Sequence, residues 1–564
     1  MDSSRLKREY WLYGLAFGLA LVLRLVRLGV FPLSDVEAAP ALQAIQVALG
    51  ARPIIGPQSA YVLLTGIFFF AFESTNFLAR LVPALAGSAL VFAPIFFKQR
   101  LKPRTALVLA FFLALDPGLL ALSRQAGSGI LSAAFLLFAW GLWERKSARW
   151  AGMLAALALL SGPALWAGLL GLGLTWAILQ GLEHRSLITD HRSLLTALWK
   201  PFLQTFIPTL LLFGTLFLVI PAGLNGLLAS LTSYLQGWSQ PAGVSSRFVF
   251  ASLLFYQPLT VLLAVVMLVR GWTCGSRRVI RLSVWLLVSL LLAVFYPARQ
   301  VQGLVWALIP LSALAALELA RHFDLRPHER IEVAGVILLT VIVLIFAWFD
   351  LASLVWTPVP SGASTMRVWL FFGSLILLIV SILLVAVGWS IRTARLGAVW
   401  GVTIMLGVYM LGAGLAAGRI RSDYSAEFWA VGSYPVHAEL ISATVDQLSE
   451  IKTGSVDTLP VTVSGIHSPA LLWALRRHPV NVVDVVDVSA SPAIVITPLV
   501  DNPKLAAAYR GQDFTWNQQT AWTSNNINDW LRWIVLRDMP QSFDTLLLWA
   551  RADLFLDTAH PPAP

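Results

Sequence analysis

Two carboxylates stand two residues apart in the segment FPLSDVEAAPALQAIQ, at Asp35 and Glu37, just past the first long apolar run. At the edge of a hydrocarbon layer an acidic side chain is costly unless it is hydrated, paired or used. A charged carboxylate in that position can take the proton of an attacking hydroxyl. Capping of a helix by Ser34 or Asp35 is the plain alternative, because helical spacing begins there. A second polar turn, LDPGLLALSRQAGSG, offers Asp116 and Arg124. Arg124 is a positive charge in a connection otherwise free of Lys and Arg, and it calls for either an anion such as phosphate or an ion pair with Asp116 or a first-loop acid. Arg80 in STNFLARLVPALAG and Arg299 in VFYPARQ, with Tyr296 close by, follow the same logic. Arg24 and Arg27 lie within the first run, where they either snorkel or face the bundle. Acids and arginines gathered at one rim of an apolar bundle would suit a phosphate-bearing lipid, with a carboxylate near the reacting carbon.

The elements that carry these residues are set by composition. The 564 residues are 58% hydrophobic and 12% charged, far from the roughly one-quarter charged make-up of a soluble domain, so lipid is the solvent for most of the chain. Apolar runs near the length needed to cross about 30 Å of hydrocarbon occur at 12–32, 80–97, 105–123, 128–143, 149–162, 164–180, 202–221, 247–269, 280–295, 300–320, 331–348, 368–390 and 394–416. This predicts about thirteen spans. The connections KQRLKPR, ERKSAR, EHRSLITDHRS, RGWTCGSRR, RHFDLRPHER and IRTAR are all basic, while 222–246, 296–299 and 349–367 are long or nearly neutral. Basic loops stay cytoplasmic, which places the N-terminus inside. The odd count places 419–564 outside. Segment 57–73 would reverse this parity if it crossed, so it is expected at the interface, within a first outer loop of 33–79. The pair 149–162 and 164–180, divided at Ser161-Gly162-Pro163, is either two spans or one broken element. The start of the chain has no small-residue cleavage site after a short core, and is expected to be an uncleaved first span.

From Arg419 the hydropathy falls and strand-like runs alternate with helical ones: 459–465, a helix 468–478, 480–488, 492–498, a helix 502–509, and a strand 545–551. Alternation of this kind predicts a small α/β domain at 419–564, following a helical membrane domain at 1–418. No glycine-rich phosphate loop occurs in it. The formal charge of +11 lies in short inter-span segments, as topology signals do, so nucleic acid is not an expected partner. Cys274 is alone, which excludes an internal disulfide and a multi-thiolate metal site. His184, His191, His322 and His328 are scattered and expected to be unpaired, and His437, His467, His478 and His560 isolated, with no metal-binding pattern among them.

In order along the chain stand Val36-Glu37-Ala38 with Asp35 one residue early, Gly56-Pro57 with Tyr61, Ala79-Arg80-Leu81-Val82-Pro83-Ala84 with Gly87, Asp116-Pro117, and Ser123-Arg124. This series resembles the membrane glycosyltransferases of the GT-C class, the group of protein mannosyltransferases and aminoarabinose lipid A transferases. Within it the chain is most similar to the prokaryotic branch related to the archaeal flippase-associated protein of N-glycosylation. LLWALRRHP, PAIVITP and YRGQDFTW resemble that branch's outer domain. The resemblance implies an all-α polytopic bundle with a C-terminal α/β extracytoplasmic domain in a prokaryotic plasma membrane. It implies a polyprenyl-phosphate-linked sugar as donor, membrane lipid as partner, a protein or glycan as acceptor, and weakly a divalent metal. By the same resemblance Glu37 or Asp35 is the catalytic carboxylate, while Arg80, Arg124, Arg299, Asp116, Tyr61 and Tyr296 bind substrate.

The departures are specific. Val36 stands where the family has its Asp, and one residue of helix turns a side chain by about 100°. Gln125-Ala126-Gly127-Ser128-Gly129 holds no carboxylate where the family has a second acid, and Ile55 replaces a frequent His. Hence the alternative of a catalytically degenerate accessory protein in lipid-linked glycan handling. A transporter is the third reading, against which stand the absence of an internal repeat and the gathering of polar groups at one rim.

Overall fold

The computed structural model describes residues 3–183, 192–241, 243–324, 326, 329–357, 361–421, 426–487, 489–499, 505–522 and 526–558. It is a bundle of apolar helices followed by a six-stranded sheet. Among the described residues seven helices are long and apolar enough to cross a membrane, and nine elements are if each of two bent pairs counts as one. Helices lie at every one of the thirteen expected positions, but Ile130–Glu144 and Ala148–Leu159 are short. By length and composition, seven to nine of the thirteen expected crossings are supported among the described residues. Val301–His322 is the centre of the bundle, with 83% of its most apolar stretch buried, whereas 6% is buried in Gly362–Gly388, whose surroundings are then mostly lipid.

Two apolar runs that read as continuous are broken. Pro103–Leu115 and Pro117–Ser123 meet at 57°, and Ser246–Tyr256 and Pro258–Thr273 meet at 93°. Both breaks fall at a residue before proline, which has no N–H to continue the ladder and disfavours helical backbone in its predecessor. Asp116 restarts its helix by accepting the Leu119 N–H at 2.8 Å. At Ser161-Gly162-Pro163 the chain divides into Ala148–Leu159 and Ala164–Glu183, as the sequence predicts. Segment 57–73 forms the 13-residue helix Ser59–Ala71, shorter than the roughly 20 residues of a span, packed on Asp35–Ala48.

The strands are β1 (Tyr434–Pro435), β2 (Val461–Ser464), β3 (Val480–Val483), β4 (Ile494–Pro498), β5 (Tyr509–Thr520) and β6 (Gln541–Arg551). Their order is β1-β5-β6-β4-β2-β3, with β2 parallel to β3 and β4 and all other pairs antiparallel. The expected helix at 502–509 is absent where it is described: 505–508 is irregular and Tyr509 opens β5, while 502–504 lie outside the described residues. Ala438–Thr453 is a further helix, burying Ile441, Val445 and Leu448 at helical spacing.

One hydrophobic cluster runs without interruption from Ala38, Tyr61 and Val82 to Ile441, Val463, Ile496 and Trp516, so the sheet part is built onto the bundle. Polar contacts fix the register. Asp35 Oδ1 accepts from Ser468 Oγ at 2.5 Å and from the Ala470 N–H at 3.0 Å, capping the helix Pro469–Ala474. Trp473 Nε1 donates to Asn76 at 2.7 Å, Arg476 donates to the Ser74 carbonyl at 2.9 Å, and Arg477 pairs with Glu73. Trp473 is 2% exposed and stacks near Phe69. Replacing Trp473 with Ala is expected to cost about 3–5 kcal/mol and to expose the segment 426–437 to protease. Limited proteolysis and thermal unfolding in one detergent check this.

Candidate functional site

Glu37 is the third residue of the helix Asp35–Ala48, and Ser34 is its cap. Ser34 Oγ accepts the Glu37 N–H, and Glu37 Oε2 accepts the Ser34 N–H at 3.2 Å, a reciprocal capping box. The same carboxylate takes a two-pronged grip from Arg80, whose Nε and Nη2 each lie 2.8 Å from one oxygen, and it also accepts the Ala126 N–H at 3.0 Å. Glu37 is fully buried. Burial pushes its pKa up, but Arg80 and the two backbone donors outweigh this and hold it below the ordinary carboxylate range. It is therefore an anion at neutral pH. The rest of the Arg80 fork is spent on the carbonyls of Phe31 at 2.8 Å and Pro32 at 3.0 Å, the turn that follows the first helix. Tyr61 packs behind the pair and donates to the Ala79 carbonyl at 2.8 Å.

Arg124 forms neither of the ion pairs expected of it. Its Nη1 donates to the carbonyls of Leu23, Arg24 and Val26, and its Nε to that of Gly418 at 2.6 Å, so it closes the C-terminal ends of Ser3–Leu25 and Ile391–Ala417 together. Burial, then the neighbouring Arg80, Arg24 and Arg27, push its pKa down to about 9, which leaves it charged at neutral pH. Arg24 faces the bundle, fully buried, on Ser123 Oγ and the carbonyls of Leu113 and Ala114.

Between these helix ends lies a small pocket of about 20 Å³, lined by Arg80, Arg124, Gln125, Arg419 and Tyr434 among others. Arg419 comes from the turn after the last span, in left-handed backbone (φ 53°). Its guanidinium carbon is 3.3 Å from the centroid of the Tyr434 ring and 5.5 Å from that of Phe31. Among the described residues no carboxylate is ion-paired to it. The pocket thus presents three guanidinium groups and one phenol, with Glu37 behind Arg80. Arg419 and Tyr434 were not singled out in the sequence, although Arg419 is an arginine at an outer span end, the signal that marked Arg124.

The remaining expected residues do not line this pocket. Asp116 is fully buried at the helix break; Oδ1 caps Leu119 and Oδ2 has no partner among the described residues. Tyr296 donates to the carbonyl of Tyr234, in the helix Asn225–Gln236, at 2.9 Å and stacks on its ring, and Arg299 follows it on a separate patch, its carbonyl accepting the Val244 N–H. Among the described residues no group of three or more His, Cys, Asp or Glu side chains could hold a metal ion.

No family model matches the chain, and no curated protein matches it in sequence. Solved structures do: ArnT from Cupriavidus metallidurans bound to undecaprenyl phosphate superposes with a TM-score of 0.55 at 15% identity, over 97% of this chain and 98% of that one. ArnT in the apo state gives 0.53 at 15% identity, over 86% and 92%. The fold, from the first helix to the last strand, is therefore that of ArnT, the architecture implied by the resemblance to GT-C membrane glycosyltransferases.

A second polar cluster lies where the sheet part enters the bundle. Glu427 is buried against Tyr256, whose hydroxyl donates to Oε2; Oε1 has no partner among the described residues. Arg537 lies over the Tyr256 ring at 4.6 Å. Burial pushes Glu427 up to about 7, against the opposing pull of Arg537 and Tyr256. The folded chain then holds this proton more tightly than the unfolded chain, where glutamate titrates near about 4.3. The stability it lends is complete below that value and is lost as pH rises through about 7. Thermal unfolding followed from pH about 4.5 to about 7.5 should show the wild type losing more stability than Glu427→Gln.

Proposed function

We propose that the protein moves a sugar from a polyprenyl-phosphate donor to an acceptor at the membrane face that carries the sheet domain, taken as the outer face. The observation that carries this reading is the pocket of Arg80, Arg124 and Arg419, and above all Arg419, a cation without a carboxylate partner among the described residues. A half-buried guanidinium of that kind is suited to a phosphate. The fold shared with a protein solved with undecaprenyl phosphate supports the same donor class.

In this reading the acceptor oxygen bonds to the anomeric carbon while the bond from that carbon to the phosphate oxygen breaks. The negative charge left on the lipid phosphate is stabilised by Arg419 and by Arg124 and Arg80 beside it. The acceptor's proton goes to a first-loop carboxylate. Asp35 keeps Oδ2 unengaged among the described residues, whereas Glu37 must release Arg80 before it can take a proton. We assign Glu37 to hold Arg80 and Asp35 to accept the proton. Tyr61 supports the Arg80 helix from behind, and Asp116 holds the helix break at Pro117. We take the chain to consist of a membrane domain, 1–418, and an outer domain, 419–564, with the N-terminus cytoplasmic, thirteen crossings and a prokaryotic plasma membrane as its place. The acceptor is a protein or a glycan.

The saturation of Glu37, with all its lone pairs in use and no exposure, favours a second reading. Here the protein binds the lipid phosphate without transferring sugar. Transfer of radiolabelled sugar from a panel of polyprenyl-phosphate sugars, alongside binding of the unglycosylated lipid phosphate, separates the two. For the transferase, Arg419→Gln should weaken lipid binding about tenfold, roughly one charge-assisted hydrogen bond's worth. Asp35→Asn should abolish transfer while binding persists. Binding without transfer from any donor by folded wild-type protein establishes the second reading, and the absence of both removes the first.

A further inference from the structure

At the end of the bundle opposite the sheet, three helix ends meet around a pocket of about 200 Å³. Pro258–Thr273 contributes Arg270, the turn Ala320–His322 contributes Arg321 and His322, and the first turn of Ile391–Ala417 contributes Arg392 and Arg395. Asp324 is the one acid among the lining residues, and its charge is already taken. Its Oδ1 pairs with Arg104 at 2.6 Å, and its carbonyl accepts from Arg392 at 3.0 Å. Glu318 holds Arg270 at 3.1 Å and His322 at 3.3 Å, so this histidine is paired, contrary to the sequence expectation. Arg321 and Arg395 are exposed and make no hydrogen bond or ion pair among the described residues.

An excess of cations on one face is expected from topology alone, but that rule does not require them to be gathered and unneutralised. The neighbouring pocket at the same end of the bundle is the internal comparison. It is lined by Arg100, Glu144, Arg145 and Lys146, and there Arg100 is paired with Glu144 at 2.6 Å. In the pocket of Arg321 and Arg395, Arg270 and Arg392 are paired in the same way, with Glu318 at 3.1 Å and Glu329 at 3.4 Å, and it is Arg321 and Arg395 that have no paired acid among the described residues. Exposed aromatic residues stand beside these arginines in the chain: Trp272 is 49% exposed and Phe323 46%, and Trp389, at the end of the preceding helix Gly362–Gly388, 72%. Exposed indole rings at span ends mark the headgroup level of a bilayer.

We propose that this pocket binds the phosphate headgroup of an anionic membrane phospholipid, in the leaflet opposite the sheet domain. Arg321 and Arg395 each offer a planar fork to the phosphate oxygens, and basic pockets between helix ends are suited to such headgroups. The lipid's acyl chains then lie along these aromatic residues. Free phosphate shares the headgroup chemistry but gains nothing from them. The site is separate from the proposed donor pocket, at the other end of the same helices.

Native mass spectrometry on the full chain, purified and delipidated in detergent, tests this with three probes: phosphatidylglycerol, phosphatidylcholine and inorganic phosphate. Wild type should retain phosphatidylglycerol about tenfold more strongly than phosphatidylcholine. The double variant Arg321→Gln/Arg395→Gln should lose that preference, whereas Lys146→Gln keeps it and Arg321→Lys/Arg395→Lys keeps part of it. Equal retention of the two lipids by wild type overturns the proposal, and this comparison needs no variant to fold. So does an unchanged preference in a double variant that unfolds at the wild-type temperature, or inorganic phosphate binding that matches the lipid's.

Discussion

The ion pair of Glu37 and Arg80 holds in place the half of the bundle that meets the sheet domain. Two opposite charges removed from water lose several kcal/mol of solvation each, and regain it only if every remaining lone pair and proton is also met. Here they are. The carboxylate takes both prongs of the guanidinium, the cap N–H of Ser34 and the N–H of Ala126. The guanidinium takes the carbonyls of the turn at 28–32. Four separate pieces of chain are thereby bound at one point: the exit from the first helix, the first-loop helix, the helix beginning at Asn76, and the turn after Arg124. The pocket walls follow from that crossing, because Leu28, Phe31, Arg80, Arg124 and Gln125 all lie on those pieces.

The second constraint is irregular backbone inside a hydrocarbon layer. A broken helix exposes carbonyls and N–H groups that lipid cannot satisfy, so it is tolerated only where protein covers it. Both breaks obey this. Gln257, at the 93° turn, is fully buried and its Oε1 accepts from Thr260. The chain that follows the last span returns to cover the region, with Glu427 on Tyr256 and Trp429 fully buried beside Gly118, where a methyl group would come within 2.6 Å of its ring. Trp533 from the sheet part donates to the Ala426 carbonyl at 2.7 Å and closes the aromatic cluster. The C-terminal part is thus not an appendage; it completes the solvation of the membrane part.

What could be read from the sequence tracks how local the cause was. The Ser34 cap, the division at Ser161-Gly162-Pro163 and the strands around 461–464 and 494–498 are each written in a few neighbouring residues, and each is found. The break at Gln257 was not legible, because a proline after one polar residue in an apolar run permits a kink without fixing its angle. β5 was not legible either. YRGQDFTWNQQT has few apolar positions, and it is held extended by β6, whose residues Leu546 and Leu548 face the core while their partners Phe514 and Gln512 complete the ladder. Convergence at the candidate site was legible for Glu37 and Arg80. It failed for Arg299 and Tyr296, which also stand at span ends but whose packing is set by the helix Asn225–Gln236 and Trp238 after it.

Arg124 explains the remaining error. An arginine at the outer end of a span was taken to want an anion, yet Arg124 spends its fork on four carbonyls at the ends of two helices. Helix C-termini carry unsatisfied carbonyls and partial negative charge, and near hydrocarbon no water is at hand to meet them. A guanidinium meets them with several donors at once, so charge at a span end has two possible employments, and only the hydrogen-bond partners tell them apart. By that criterion Arg80 and Arg124 are largely committed to structure, and Arg419 is not. Its cation is held by the face of Tyr434, a contact that leaves the N–H edges without a hydrogen-bond partner among the described residues. The two committed arginines keep their charge and so raise the potential of the pocket, while the uncommitted one supplies the donors a phosphate needs.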